Sequence, residues 1–362
     1  MLSGPYFAPI LQVTLCSQTC LVRCYFFNLL KFVISTDQRA EENRERNTTT
    51  ENNQEKAIFM NFSSSECLTW LSLGMTESAV VIAGNLISII LFMKNNHLRK
   101  RGLYLVINLT VADMLAGGIL IPQTFFMLER PYCKFSKFKF ELYWRAVTLH
   151  FAIYWFPLTS LTNIAMISLQ QAHATFRPFK HRVIKKWVYG VAIAVVWVLA
   201  ASVSATLVSL TFFTKARSHH FYLWQSYNCL CLFVICGSYT SIAVKFCCGA
   251  RPPHHGAARR QRKLTVTLLL MTVVSLLMWL PFGVATFVYF TTKRFESLSP
   301  QNALRLNFSF IVLFHASSLV NPILYAIRMP EFRRALLSLF KRHQNQIADM
   351  PLNRACFSIA KL

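Results

Sequence analysis

The chain has 362 residues, 54% hydrophobic against 14% charged, with a formal charge of +24. Its basic residues fall between long apolar runs instead of forming a patch, which argues against a nucleic-acid partner and for a membrane protein. The histidines are scattered and no His-Glu-x-x-His string occurs, so nothing points to an enzyme.

Residues 1–59 stand apart. The stretch 5–34 is apolar with three cysteines, one Arg and one Lys, and 35–56 is polar. It lacks the basic start of a signal peptide, and an extra span would upset the orientation argued below. Met60 is therefore the expected start, with 1–59 dispensable or an upstream extension. Asn47 and Asn61 open Asn-x-Ser/Thr sequons and are the expected glycosylation sites of an outer segment covering 1–70.

Seven apolar runs follow, at 71–93, 103–127, 147–169, 187–213, 222–246, 264–290 and 304–327. Each approaches or exceeds the roughly 20 residues that cross a bilayer. They are uniformly apolar and not alternating, which predicts helices and not barrel strands. The expected fold is all-α: a polytopic seven-helix bundle over 71–327, a short amphipathic membrane-surface helix at 328–342 and a tail at 343–362. Loops 94–101, 170–186, 245–263 and 328–342 hold 20 Lys/Arg and one acid; 128–145, 214–222 and 291–307 hold 10 and three acids. The first set is expected in the cytoplasm and the N-terminus outside, with anionic membrane lipids as a secondary partner.

The spans carry short polar motifs: Gly84-Asn85, Asn108-Leu109 with Ala112-Asp113, Trp197, Met278-Trp279-Leu280-Pro281-Phe282, and Asn321-Pro322-Ile323-Leu324-Tyr325, followed by Glu331-Phe332-Arg333-Arg334. Proline within a helix removes a donor and kinks the axis. Asp113 is the one aspartate between Asp37 and Asp349, and an ionisable group at mid-span marks a functional interior. In this order the motifs resemble the rhodopsin-like G-protein-coupled receptors, over about 71–340. The resemblance implies a plasma-membrane receptor that binds an extracellular small-molecule or lipid-like ligand and signals to a heterotrimeric G protein. It also implies that Asn85, Ser160, Ser318 and Asn321 converge on Asp113, where a sodium ion binds; the plainer alternative is an Asp113 held by Asn85 alone. Trp279, Pro281, Pro322, Tyr239 and Tyr325 match the activation switch, in which the sixth helix swings outward.

The chain departs from that pattern in places. The third span ends in Gln170-Gln171-Ala172, where the family has an acid, an Arg and an aromatic residue, and Gln261 stands where the sixth helix would offer an acid. A neutral Gln171 cannot make the paired contacts of a guanidinium. Either the receptor couples through an altered cytoplasmic cavity, or it is a non-coupling decoy or dimer partner. Ala146 replaces the usual disulfide cysteine, and 214–225 contains no Cys. Cys229 and Cys231 follow at the start of the fifth span, and Cys133 could pair with Cys67 instead. These missing motifs resemble the melanocortin, adenosine, cannabinoid and lysophospholipid receptors.

By the same resemblance the ligand pocket is lined by Gln123, His150, Ile153, Tyr154, Trp279, Phe282, Thr286 and His315. Ile153 replaces the aspartate of aminergic receptors, so a biogenic amine is not expected. His315 replaces the lysine of opsins, so retinal is not expected. Aromatic walls with a few neutral donors suit a small neutral or mildly anionic ligand, unless His150 and His315 are simply hydrogen-bonded bundle residues. A transporter is the alternative from another class, disfavoured by one deep Asp and the lack of repeats.

Overall fold

The computed structural model describes residues 63–95, 103–129, 143–214, 216–248, 256–291 and 300–348, apart from the side chains at some helix ends. Among the described residues, seven helices are long and apolar enough to cross a membrane: α1 (Ser64–Lys94), α2 (Tyr104–Glu129), α3 (Tyr143–Phe176), α5 (Lys186–Phe212), α6 (Arg217–Cys248), α7 (Gly256–Thr291) and α8 (Pro300–Arg328). Among the described residues there are two shorter helices, α4 (Pro178–Val183) and α9 (Pro330–Ala348). No strand occurs among the described residues.

Local chemistry explains the helix ends. The Ser63 hydroxyl accepts the Glu66 N–H at 3.2 Å, and Glu66 places a negative charge in the first turn of α1. Pro178 opens α4, where its missing N–H is no loss. Pro122, Pro157, Pro281 and Pro322 instead lie within α2, α3, α7 and α8. Hydrocarbon offers an opened backbone no other partner, so these helices continue through their prolines.

α3 sits at the centre, touching α2, α5, α6 and α7, while α1 joins α2 to α8. Small residues set the closest approach. A Cβ on Gly117 of α2 would lie 2.5 Å from Val81 Cγ1 on α1, and one on Gly74 would lie 2.7 Å from Thr124 Oγ1. The Ser78 hydroxyl donates to Gly117 O at 2.6 Å across the same seam. α1 and α8 run in register: Arg305 grips both Glu66 oxygens at 2.6 and 3.1 Å, Trp70 stacks on Phe308, and Gly84 faces Pro322. Outside, Val198, Phe233, Leu277 and Ile323 are each more than half exposed. In water such a surface would aggregate; hydrocarbon is its natural solvent.

Several boundaries differ from expectation, with α1 beginning at Ser64 and not 71, and α7 at Gly256 and not 264. α6 begins at Arg217, not 222, because the polar 218–220 lowers the hydropathy without breaking the helix. The stretch 217–222 is therefore not loop, and Cys229 and Cys231 lie well inside α6 as buried free thiols. Residues 178–183 form a helix in place of a plain loop. α9 starts at Pro330 and runs past 342 to Ala348, since no Gly or Pro interrupts it. Its Phe332 packs on Phe92 and Tyr325, with Arg333 and Arg334 exposed, the two-faced pattern of an amphipathic helix. Cys67 is disulfide-bonded, and its partner is none of the free Cys229, Cys231 and Cys236. Cys133, Asn47, Asn61 and the Gln261 side chain lie outside the described residues.

Candidate functional site

Asp113 is 1% exposed at the meeting of α2, α3 and α8. Ser160 donates to its Oδ1 at 2.7 Å, Ser318 to Oδ1 at 3.2 Å and Asn321 Nδ2 to Oδ2 at 2.5 Å. Three of the four predicted partners therefore converge. Asn85 does not bond Asp113: its Nδ2 donates to Val81 O at 3.0 Å and Ser318 O at 3.2 Å. The alternative of an Asp113 held by Asn85 alone fails for the same reason. Asn85 instead clips α1 to the backbone of α8, beside a residue that does touch Asp113. The Oδ1 atoms of Asn85 and Asn321 are buried without a hydrogen-bond partner.

The switch residues are spread along the bundle, from Trp279 beside the cavities to Gln171 near the basic end. Trp279 Nε1 donates to Ser317 Oγ at 2.8 Å, and its ring lies 4.6 Å from that of Phe314, two residues before Pro281 in α7. Tyr239 lies 3.3 Å from the Thr272 hydroxyl. Tyr325 is fully buried against Phe92 and Phe332, and its hydroxyl has no partner. The two tyrosines thus occupy separate settings. Gln171 is 1% exposed, and Thr265 of α7 donates to its Oε1 at 3.1 Å. The position searched in the sequence was Gln261; the tie falls at Thr265, one turn further along. Close by, Lys245 of α6 donates to Thr175 O at 2.6 Å and sits over the Phe176 ring. At the α3–α4 corner, the Nδ1 atoms of His173 and His181 are 3.5 Å apart. Burial, and then His173, holds the His181 imidazole below the usual histidine range.

Towards the opposite end, a cavity of about 180 Å³ is walled by α2, α3, α6, α7 and α8. Of the predicted ligand residues, Gln123, Ile153, Tyr154, Phe282, Thr286 and His315 line it. His315 Nε2 and Gln123 Oε1 are 3.2 Å apart, and the Thr286 hydroxyl donates to Phe282 O. Trp279 lies outside this lining and borders a second cavity. His150 is not in the wall. Its Nδ1 is 2.8 Å from Ala146 O, and its ring stands edge-on to Phe126 and Phe212. That aromatic slot between α2 and α5 makes it a bundle residue. Sequence reasoning missed His220, Phe221 and Trp224 of α6 and Ile311 and Phe314 of α8. Helical continuity through 217–222 was the signal for His220 and Phe221. His220 Nε2 is buried without a partner, its ring 5.4 Å from that of Tyr154. Among the described residues, no Asp or Glu lines the cavity.

Asp113 is also not the single deep acid. Glu77 of α1 is 8% exposed, with neither carboxyl oxygen hydrogen-bonded. Glu77 falls inside the first apolar run, 71–93, so the sequence alone places a second acid within a span.

A seven-helix bundle with a polar core, a cavity towards one end and a tie at the other is the architecture of a membrane receptor. A sequence profile of the 7 transmembrane receptor (rhodopsin family) matches residues 84–325, and the chain belongs to that family. It is a multi-pass membrane receptor and not an enzyme. It is 25% identical to the histamine H2 receptor of Canis lupus familiaris over 72% of this chain and 76% of that one. Against the histamine H2 receptor of Cavia porcellus it is 26% identical, over 76% of this chain and 81% of that one. The crystal structure of squid rhodopsin shares the fold at a TM-score of 0.62 and 16% identity, covering 78% of this chain and 87% of that one.

Proposed function

We propose that this receptor lies in the plasma membrane with its N-terminus outside, and binds a small neutral or mildly anionic ligand in the cavity beneath its outer face. Binding there signals to a heterotrimeric G protein through the end of the bundle that carries most of the Lys and Arg. The observation that carries the ligand class is the cavity's charge: Ile153 stands in its wall and, among the described residues, no carboxylate does. The ligand in the relatives' name is an amine, which needs a counter-ion once desolvated. Asp113 and Glu77 both lie outside the lining, so an amine has no partner among the described walls. Gln123, His315 and His220 supply neutral polar atoms among aromatic rings, which favours an uncharged or weakly acidic molecule.

Asp113 also fits a sodium ion. A carboxylate, two serine hydroxyls and the unengaged Asn321 Oδ1 form an all-oxygen set, which suits a hard cation.

Coupling is supported by the neutral tie between Gln171 and Thr265, which joins α3 to α7 where the family uses charge. The test is basal activation of a panel of Gα subunits by the protein started at Met60, beside its Gln170→Glu/Gln171→Arg variant at matched surface expression. Signal from the native chain supports a working receptor. Signal from the variant alone would overturn coupling and leave a non-coupling binder.

A further inference from the structure

A second cavity, of about 220 Å³, lies between α6 and α7. It differs from the first in where it opens. Leu277, Leu280 and Val284 on its α7 side are 59%, 44% and 40% exposed. All three belong to the stretch Thr265–Val288 that is apolar enough to cross the bilayer. The groove thus faces sideways, at hydrocarbon depth, and lipid is the medium that covers it.

Its lining is apolar except for two amides of α6. Gln225 donates Nε2 to Gly283 O at 3.2 Å, closing the seam above. Asn228 donates Nδ2 to Trp224 O at 2.7 Å, and its Oδ1 is buried with no partner. An acceptor with no donor in hydrocarbon is expensive, and no water reaches it there to compensate. A Cβ on Gly283 would meet nothing within 4 Å, so α7 leaves open room in the groove that Asn228 also lines. Trp224, Phe282 and Phe314 line this groove and the central cavity alike.

We propose that the α6–α7 groove is a binding site for a hydroxylated bilayer lipid. Its O–H donates to Asn228 Oδ1, and its apolar body lies along Leu276, Leu280 and the space beside Gly283. Through the shared aromatic wall the occupant presses on the residues that shape the central cavity. Bound lipid and central ligand therefore influence each other's affinity. The site does not depend on which ligand the central cavity takes, nor on coupling.

The experiment uses the full chain in lipid nanodiscs and two diazirine probes, a sterol with a free hydroxyl and a long-chain monoacylglycerol, each paired with its methyl ether. Crosslinked peptides are mapped by mass spectrometry. The expected result is labelling concentrated at 224–236 and 276–284, at least about fivefold stronger for a free hydroxyl than for the matched ether, and displaced by the unlabelled lipid. Whichever probe labels identifies the lipid as sterol or single-chain. Gly283→Leu should abolish labelling by filling the groove, and Asn228→Leu should erase the preference for the hydroxyl. Labelling spread evenly over all outward-facing helices of the native chain would overturn the proposal without recourse to any variant. So would equal capture of hydroxyl and ether.

Discussion

Thr265→Val removes one hydroxyl and keeps the side-chain shape, and it tests whether the neutral tie holds α7 against α3. The Thr265–Gln171 bond joins uncharged partners at 3.1 Å, both buried. Buried neutral hydrogen bonds contribute about 0.5–1.5 kcal/mol. A hydroxyl donor usually sits closer to its acceptor than this, so the lower part of that range applies, about 0.5–1 kcal/mol. That corresponds to about a two- to fivefold shift in the ratio of open to closed bundle. An open population of about 1% would rise to about 2–5%. Hydrogen exchange of amides in 256–270 reads this opening directly, since local exchange follows the open fraction. The expected result is exchange faster by about two- to fivefold there and unchanged in α1 and α2. Gln171→Leu should match it, and the double variant should exceed neither by much, because both remove the same bond. Unchanged exchange at 256–270 in Thr265→Val would refute the tie. A double variant equal to the sum of the singles would show that the two residues act apart.

Glu77→Leu is expected to raise Tm by at least about 2 °C, because it removes an unpartnered buried carboxyl group; a fall of that size would mean that the carboxyl is engaged. Gly117→Leu should lower surface expression and Tm sharply, its Cβ being 2.5 Å from Val81 Cγ1, while Gly118→Ala, which meets nothing within 4 Å, should leave both near native. His181 is held below its ordinary range by burial and by His173, so the folded state resists its protonation. The stability this gives is full above the unfolded pKa and is lost as pH falls below it, towards the lower folded value. Native protein should therefore lose more Tm than His181→Gln between about pH 7.5 and about 5.5; equal losses would exclude a role for this pair.

The spans were legible because crossing hydrocarbon is a local demand. Each run must bury its own backbone in a helix and turn apolar side chains outward, and both requirements show in hydropathy alone. Asp113 was legible for the same reason, as a charge where none is affordable. Ser160, Ser318 and Asn321 were placed around it by motif resemblance, and the bundle does bring them there. The start of α6 was not legible, because polar residues at a helix end read as loop; His220 and Phe221 were lost from the cavity with it.

What tertiary structure decided was the direction of each side chain around its helix. Asn85 and His150 sit at the heights expected, yet Asn85 turns to the backbone of α8 and His150 to a slot between Phe126 and Phe212. The Gln171 tie formed with Thr265, one turn from the position searched. Span length and depth follow from composition along one helix. Rotation and register depend on close packing against neighbouring helices, at contacts such as Gly117 on Val81. A hydropathy pattern carries no record of those contacts, so only the assembled bundle could determine them.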